Sequence, residues 1–265
     1  MFRRRLAPTV AFAATVLLAL GLVACQGQTV PLLSDPKAIL TAAATEAAAA
    51  TSVHLDVSAE GSLVIDPLGT GAGAPIDLRG STAAADIDLT GRNARVTFTV
   101  PGVLGIAGEV IAIDEKVYLR STLTGPQFQV TDAAVANGAP TDSPLKGLVD
   151  LLAQPGLDPV KGADVSCGGG TCYAITINLT AEELAALGAD GIPLPTDLPI
   201  PLPDLSTATV DLTIQVEQAT TRLSGISAVA DLGEMGELTG ELTFSKWSES
   251  VSINPPPADQ VAPPA

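Results

Sequence analysis

The sequence predicts an α+β fold: a single large curved antiparallel sheet, a half-barrel, with a few helices on its concave face enclosing an apolar cavity. Three observations lead there. Apolar and polar residues alternate with period two through much of the chain. The connections between these runs are short, which antiparallel pairing permits and parallel pairing does not. Only a few segments carry helical spacing. No shift of composition divides the 265 residues, so they read as one large domain, long enough to bury a real core. A sheet of this size tends to curl, and helices laid across its concave side enclose space.

The N-terminus sets the compartment. Arg3, Arg4 and Arg5 precede an apolar run from Leu6 to Val23, the basic and apolar regions of a secretory signal. The run closes on Leu22-Val23-Ala24-Cys25, a small-residue cleavage site followed by Cys, the lipobox pattern of bacterial lipoproteins. Residues 1–24 therefore read as a lipoprotein signal peptide. Cys25 becomes the mature first residue, acylated on its sulfur by palmitate or a similar chain, and 25–34 is a tether. A body from 35 to 254 follows, then a Pro-rich tail over 255–265. More than one acyl chain is needed for stable anchoring, since each buried methylene contributes about 0.8 kcal/mol. The protein is expected on the outer face of the cytoplasmic membrane, in the cell envelope, held there by its lipid.

Along the body, Asp35-Pro36 supplies an N-cap and first turn, and Ile39, Leu40, Ala43 and Ala47 follow at helical spacing. Val53, Leu55, Val57, Ala59, Leu63 and Ile65 alternate with polar residues, broken by Gly61, as a long half-buried strand. Pro67 to Pro75 reads as a Gly-rich turn. Strands are expected around Ile87 and Leu89, around Val96, Phe98 and Val100, and on both sides of Asp114-Glu115-Lys116, a hairpin. Ser143-Pro144 opens a helix with the stripe Leu145, Leu148, Val149, Leu151 and Leu152. Further strands cover Tyr173 to Asn178, Val210 to Val216, Leu223 to Val229 and Leu238 to Phe244. Thr180-Ala-Glu-Glu183 is a capping box that opens a short helix. Five prolines between 193 and 203 hold an extended stretch.

Cys167-Gly-Gly-Gly-Thr-Cys172 holds the two remaining cysteines. In an exported chain they are expected as a disulfide, the three glycines allowing a tight turn between strand ends. A thiol redox or metal pair is the rival, but redox motifs use two intervening residues and no second ligand pair accompanies this one.

Composition narrows the function. Lys and Arg total 13 against 29 Asp and Glu, with one His, for a net charge of -16. Signal cleavage removes three bases and no acid, which gives about -19 by the same counting. Such a chain repels phosphate backbones, so a nucleic-acid partner is excluded. One His leaves little room for His-based metal sites or catalysis, and neither a metal nor a cofactor is expected. One Trp, two Tyr and five Phe build no carbohydrate-stacking platform. No Gly-x-Ser-x-Gly elbow is present to complete a triad with His54, which reads as a solvated or capping residue. Asp86 and Asp88 share a strand face as paired carboxylates would, yet no partner acid or aromatic subsite accompanies them. Gly168-Gly169-Gly170 lacks the Lys-Ser/Thr of a phosphate loop, and no Asp-x-Asp-x-Asp-Gly calcium loop occurs. An enzyme is not expected.

The order of elements resembles the mycobacterial cell-envelope lipoprotein family of LppX, LprA, LprF and LprG, whose fold is similar to the LolA/LolB lipoprotein carriers. The resemblance spans residues 36–256. It rests on the lipobox Cys25, the Ala-rich helix, Thr51-Ser52-Val53-His54 entering a long strand, Ile113-Asp114-Glu115-Lys116-Val117-Tyr118-Leu119, and the closing run from Leu242 through Trp247, Val251 and Ile253 to Pro255. The Cys167–Cys172 turn and the 192–203 stretch depart from the family. The resemblance implies binding of acyl lipids or glycolipids in an apolar cavity and their transport across the envelope, a role that admits a membrane transporter as partner.

A case from the residues themselves stands beside it. Burying acyl chains requires volume and dry walls, not catalytic groups. The expected walls are helical Ile39, Leu40, Leu148, Leu151 and Leu152 and strand Ile87, Leu89, Val96, Phe98 and Val100. Small aliphatic side chains with few rings leave such a sheet hollow. The alternative is a structural or interaction lipoprotein whose helices fill the sheet completely and leave no ligand space.

Overall fold

The computed structural model describes residues 32–65, 73–103, 105–132, 156–168, 170–184 and 207–263. The signal peptide, Cys25, the helix around Leu148, Leu151 and Leu152, and the 192–203 stretch lie outside these residues.

Helix α1, Pro36–Ala49, starts where Asp35 accepts a hydrogen bond from the Lys37 N–H at 3.1 Å, with Pro36 in the first turn. It buries Ile39, Leu40, Ala43, Ala44 and Ala47. The strands are β1 Ser52–Ile65, β2 Ala74–Asp77, β3 Ser81–Asp88, β4 Asn93–Val100, β5 Ile106–Ile113, β6 Lys116–Ser121, β7 Gly125–Asp132, β8 Val160–Lys161, β9 Val165–Cys167, β10 Gly170–Leu179, β11 Thr209–Glu217, β12 Leu223–Asp231 and β13 Glu237–Ser245. The Thr180 capping box forms: Thr180 N–H donates to the Glu183 carboxylate at 2.8 Å, and a helical turn follows.

All 13 strands belong to one sheet in the order β7-β6-β5-β4-β3-β1-β13-β12-β11-β10-β8, with β2 beside β1 and β9 beside β10. Every ladder is antiparallel. Two meanders, β3 to β7 and β8 to β13, meet at β1. The second closes on β1 through β13, so the start and the end of the body pair along Leu55↔Phe244 and Val57↔Leu242. The β5–β6 turn is two residues, Asp114 and Glu115, both with positive φ (51° and 61°), a hairpin turn whose twist matches the flanking strands.

At Gly61 strand β1 changes partners and runs on with β2. Its φ is +112°, and a Cβ there would meet the Glu237 carbonyl oxygen, so only Gly lets the two backbones approach so closely. Pro75, expected in a turn, lies in β2, and Pro tolerates an edge strand of this kind because no partner demands its missing N–H on the outer side. Strand β7 was not evident in the sequence pattern. Residues 255–263, expected as a tail apart from the body, are built onto it: Pro256 is buried, Val261 bridges Phe128 on β7, and the Ala262 N–H donates to the Phe128 carbonyl at 2.9 Å. Extended proline backbone lacks its own hydrogen-bond ladder, so it gains by lying along an unpaired strand edge.

Candidate functional site

Because side chains alternate across a strand, the ladders sort the whole sheet into two faces. One is mostly apolar from β10 to β6, with Lys161 on β8 and Gln129 and Thr131 on β7 at its two edges. Its cross-strand row Ile214–Ile226–Leu242–Val57–Ala83–Phe98–Gly108 passes through seven strands without a charge. Another row, Leu212–Ala228–Gly240–Ala59–Ser81, is mostly small residues. The Phe98 ring lies against β5 at Gly108, where a Cβ would meet it.

This face divides in two. At the end of the sheet that carries Val53 and Ile87, helix α1 lies on it. There Ile39, Leu40, Ala43, Val53, Ile87, Tyr173, Ile175, Val216, Leu223 and Phe244 form one buried cluster. Toward the other end, on β1 and β3 to β6, the apolar residues are only half-buried and sit outside that cluster: Ala83, Phe98, Val100, Ile106, Val110 and Leu119. Val57 is 38% exposed.

Seven of the ten predicted wall residues can be placed on this map. Ile39, Leu40 and Ile87 are packed core, and Leu89 and Val96 pack against it. Phe98 and Val100 lie on the open part of the same face. Leu148, Leu151 and Leu152 lie outside the described residues. Val57, Ala83, Val110 and Leu119 share the open part but were not singled out from the sequence, although strand parity with Phe98 places them there.

The opposite face is hydrophilic. His54 Nδ1 lies 2.6 Å from Asp86 Oδ1, and its Nε2 lies 3.4 Å from Asp56. Asp88 accepts from the Thr90 and Gly91 N–H groups at the β3–β4 turn. The pair of carboxylates on β3 is therefore divided between a hydrogen bond with His54 and a turn. Glu109 holds both Arg95, at 3.2 Å, and Arg120, and the Arg120 guanidinium sits 4.5 Å above the Phe128 ring. A groove of about 540 Å³ crosses β13, β1, β3, β4 and β5 on this face. Asp56, Ser58, Thr82, Thr97, Thr99, Glu241 and Thr243 line it around Ala84 and Ala107, with Gly108 and with Val57, Ala83 and Phe98, whose side chains belong to the other face by strand parity, between them. Two carboxylates and five hydroxyls would lose water against an acyl chain, at a cost of a few kcal/mol for each unpaired group. The groove is therefore a poor acyl site, and the aliphatic face is the candidate. Among the described residues no cluster of His, Cys, Asp and Glu is arranged to hold a metal ion.

Elsewhere, Cys167 and Cys172 sit on the two arms of the β9–β10 hairpin, diagonal in its register, with Cα atoms 5.9 Å apart and sulfurs at bonding distance, within the span a disulfide requires. Nearby, the Leu33 N–H donates to the Tyr173 hydroxyl at 2.9 Å, and Lys161 Nζ lies 5.4 Å from the Tyr173 ring. The hydrogen bond from Lys161 holds the Asp164 carboxyl below the ordinary carboxylate range. Trp247 donates to the Leu223 carbonyl and stacks on Phe244 at 5.6 Å, an anchor for the packed end.

No protein-family model and no curated protein sequence matches the chain. Solved structures do. LprF from Mycobacterium bovis aligns over 85% of this chain and 98% of its own, at 15% identity and a TM-score of 0.53. The Mycobacterium tuberculosis lipoprotein LppX aligns over 83% and 100%, at 18% identity and a TM-score of 0.50.

Proposed function

From a chain with the fold of LprF and the lipoprotein LppX, we propose a lipid-anchored envelope lipoprotein that binds acyl lipids or glycolipids on its aliphatic face and helps carry them across the cell envelope. It is a binding protein, not an enzyme. Its anchor is the acylated Cys25, its place is the outer face of the cytoplasmic membrane, and a membrane transporter is the partner class that hands lipid on. The Cys167–Cys172 disulfide suits that oxidising setting.

One observation carries the reading: among the described residues, the aliphatic face is packed under α1 at one end and uncovered at the other. Each acyl methylene laid against the open part contributes about 0.8 kcal/mol, so a long tail gains enough to bind without any ion pair. Neighbouring alanines test which face is used. Ala83 and Ala84 are consecutive on β3 and point to opposite faces. The mature chain is purified without detergent, analysed by native mass spectrometry, and its lipids extracted. Wild type and Ala84→Trp, which fills the hydrophilic groove, should carry acyl lipid. Ala83→Trp, which occupies the aliphatic face, should not. A wild-type protein that neither retains nor takes up acyl lipid overturns the proposal and favours a filled structural lipoprotein. Lipid lost from Ala84→Trp but kept by Ala83→Trp moves the site to the groove.

A further inference from the structure

We propose that residues 246–263 form a strap that ties the β5–β7 wing to the foot of β1 and sets how far the wing's aliphatic wall can open. The proposal deepens the lipid-binding reading by assigning that site a control element. Both ends of the strap are pinned. At its start, the Ser248 N–H donates to the Ser52 carbonyl, the Thr51 N–H donates to the Ser248 hydroxyl, and the Ser52 hydroxyl donates to the Glu249 carbonyl. At its end, Val261 and Ala262 pair with Phe128. Between the two anchor points lie β3, β4, β5 and β6.

The strap is long enough to cross the wing. Five strand spacings from β1 to β7 measure roughly 24 Å at about 4.8 Å each. The eight steps from Glu249 to Pro257, extended as Pro255-Pro256-Pro257 require, reach roughly 25 Å at about 3.1 Å each. A one-turn helix, Ala258–Gln260, adds about 2 Å per residue before Val261, so the strap spans the wing with several ångströms to spare. What resists widening is the docking at its two ends rather than tension along the strap.

The wing has reason to need it. The buried cluster under α1 draws on β1, β3 and β10 to β13 but on no residue of β5, β6 or β7. The wing's fully buried apolar side chains among the described residues are Ile111 and Phe128. Both lie on the hydrophilic side of the sheet, opposite its lipid-facing residues Val110 and Leu119, and the strap docks on Phe128. Segments with few buried contacts open locally at low free energy. The strap thus supplies packing that the main core does not.

Hydrogen exchange read by mass spectrometry on the mature chain tests this. Ala262→Pro removes the N–H that Phe128 accepts from and fixes φ there, Val261→Asp puts a charge at the docking point, and truncation after Ser252 removes the strap's end. In all three, amides of 116–132 should exchange at least tenfold faster while β10 to β13 keep their protection. Dissociation of bound cis-parinaric acid, a fluorescent fatty acid, should accelerate at least threefold. Unchanged exchange of 116–132 in Val261→Asp and the truncated chain overturns the proposal. So does equal acceleration in both halves of Val261→Asp, which would mean general destabilisation. A wild type that binds no cis-parinaric acid defeats the lipid reading but leaves the exchange comparison to decide the strap.

Discussion

The division of the aliphatic face into a packed and an open end makes a quantitative prediction for two truncations. Leu40 on α1 is 1% exposed and sits inside the buried cluster. Leu40→Ala deletes three carbons, worth about 2.4 kcal/mol of transfer free energy at about 0.8 kcal/mol each, and the unfilled cavity raises the cost to roughly 3–4 kcal/mol. Val57 lies on the same face and also loses carbons on conversion to Ala, but two rather than three. With 38% of the residue already exposed, only part of that area leaves water on folding, and no closed cavity results. Val57→Ala should therefore cost about 1 kcal/mol in the lipid-free protein. The gap of roughly 2–3 kcal/mol corresponds to a Tm difference on the order of 6 °C for a domain of this size. Trp247, stacked on Phe244 within the packed end, reports unfolding by fluorescence in urea. Equal losses for the two variants, after delipidation, would show that the end around Val57 is packed as tightly as the helix end, and the reasoning would fail. With bound lipid the two should converge, because the ligand adds stability by mass action that Val57→Ala weakens.

Three further perturbations follow from local chemistry. Glu115 occupies a left-handed position in a two-residue turn, so Glu115→Gly should raise stability by roughly 0.5–1 kcal/mol in urea titrations. The Glu183 carboxyl is held below the ordinary range by the Thr180 backbone N–H and then by its hydroxyl. Its contribution to the capping box is thus complete above the unfolded carboxyl's pKa and is lost as pH falls through the lowered folded value. Amides 180–184, Thr180 first, should lose exchange protection on acidification in wild type, whereas Glu183→Gln should show weaker protection with little of that acid dependence. Joint Cys167→Ser and Cys172→Ser should cost about 2 kcal/mol by loop-closure entropy for so short a loop, measured against the oxidised wild type. No difference would mean that the pair is not bonded in the purified protein.

Much of the fold was legible because local signals agreed. Asp35-Pro36 and the spacing of Ile39, Leu40, Ala43 and Ala47 located α1 and its buried stripe. The alternations through Val53 to Leu63 and Val96 to Val100 located β1 and β4. Strand β7 was illegible for a physical reason. At its positions on the aliphatic side it carries Gln129 and Thr131, while Phe128 lies on the hydrophilic side with Arg120. An edge strand that meets a strap on its far side has its pattern reversed, and Pro126 weakens the strand signal further. Period two also fixes a pair of faces without saying which is covered. Phe98 and Ile87 therefore looked equivalent in the sequence, although α1 seals one and leaves the other open. Only the docking of the helix separates them.

The size of the sheet itself argues that α1 cannot be its whole cover. A helix of 14 residues is about 21 Å long and about 10 Å wide with its side chains. The strand path from β7 to β8 spans roughly 48 Å at about 4.8 Å per neighbour. The apolar part of that width, from β6 to β10 and about 38 Å across, would, if left wet beyond the helix, exceed the apolar patches that soluble monomers ordinarily expose. The strap adds nothing here, since it docks on the other side at Phe128. What completes the cover must be apolar and must lie against Val57, Ala83, Phe98 and Val110. The alternating geometry of β3 offers a direct way to ask whether it is lipid, because a Trp at 83 displaces it and a Trp at 84 does not.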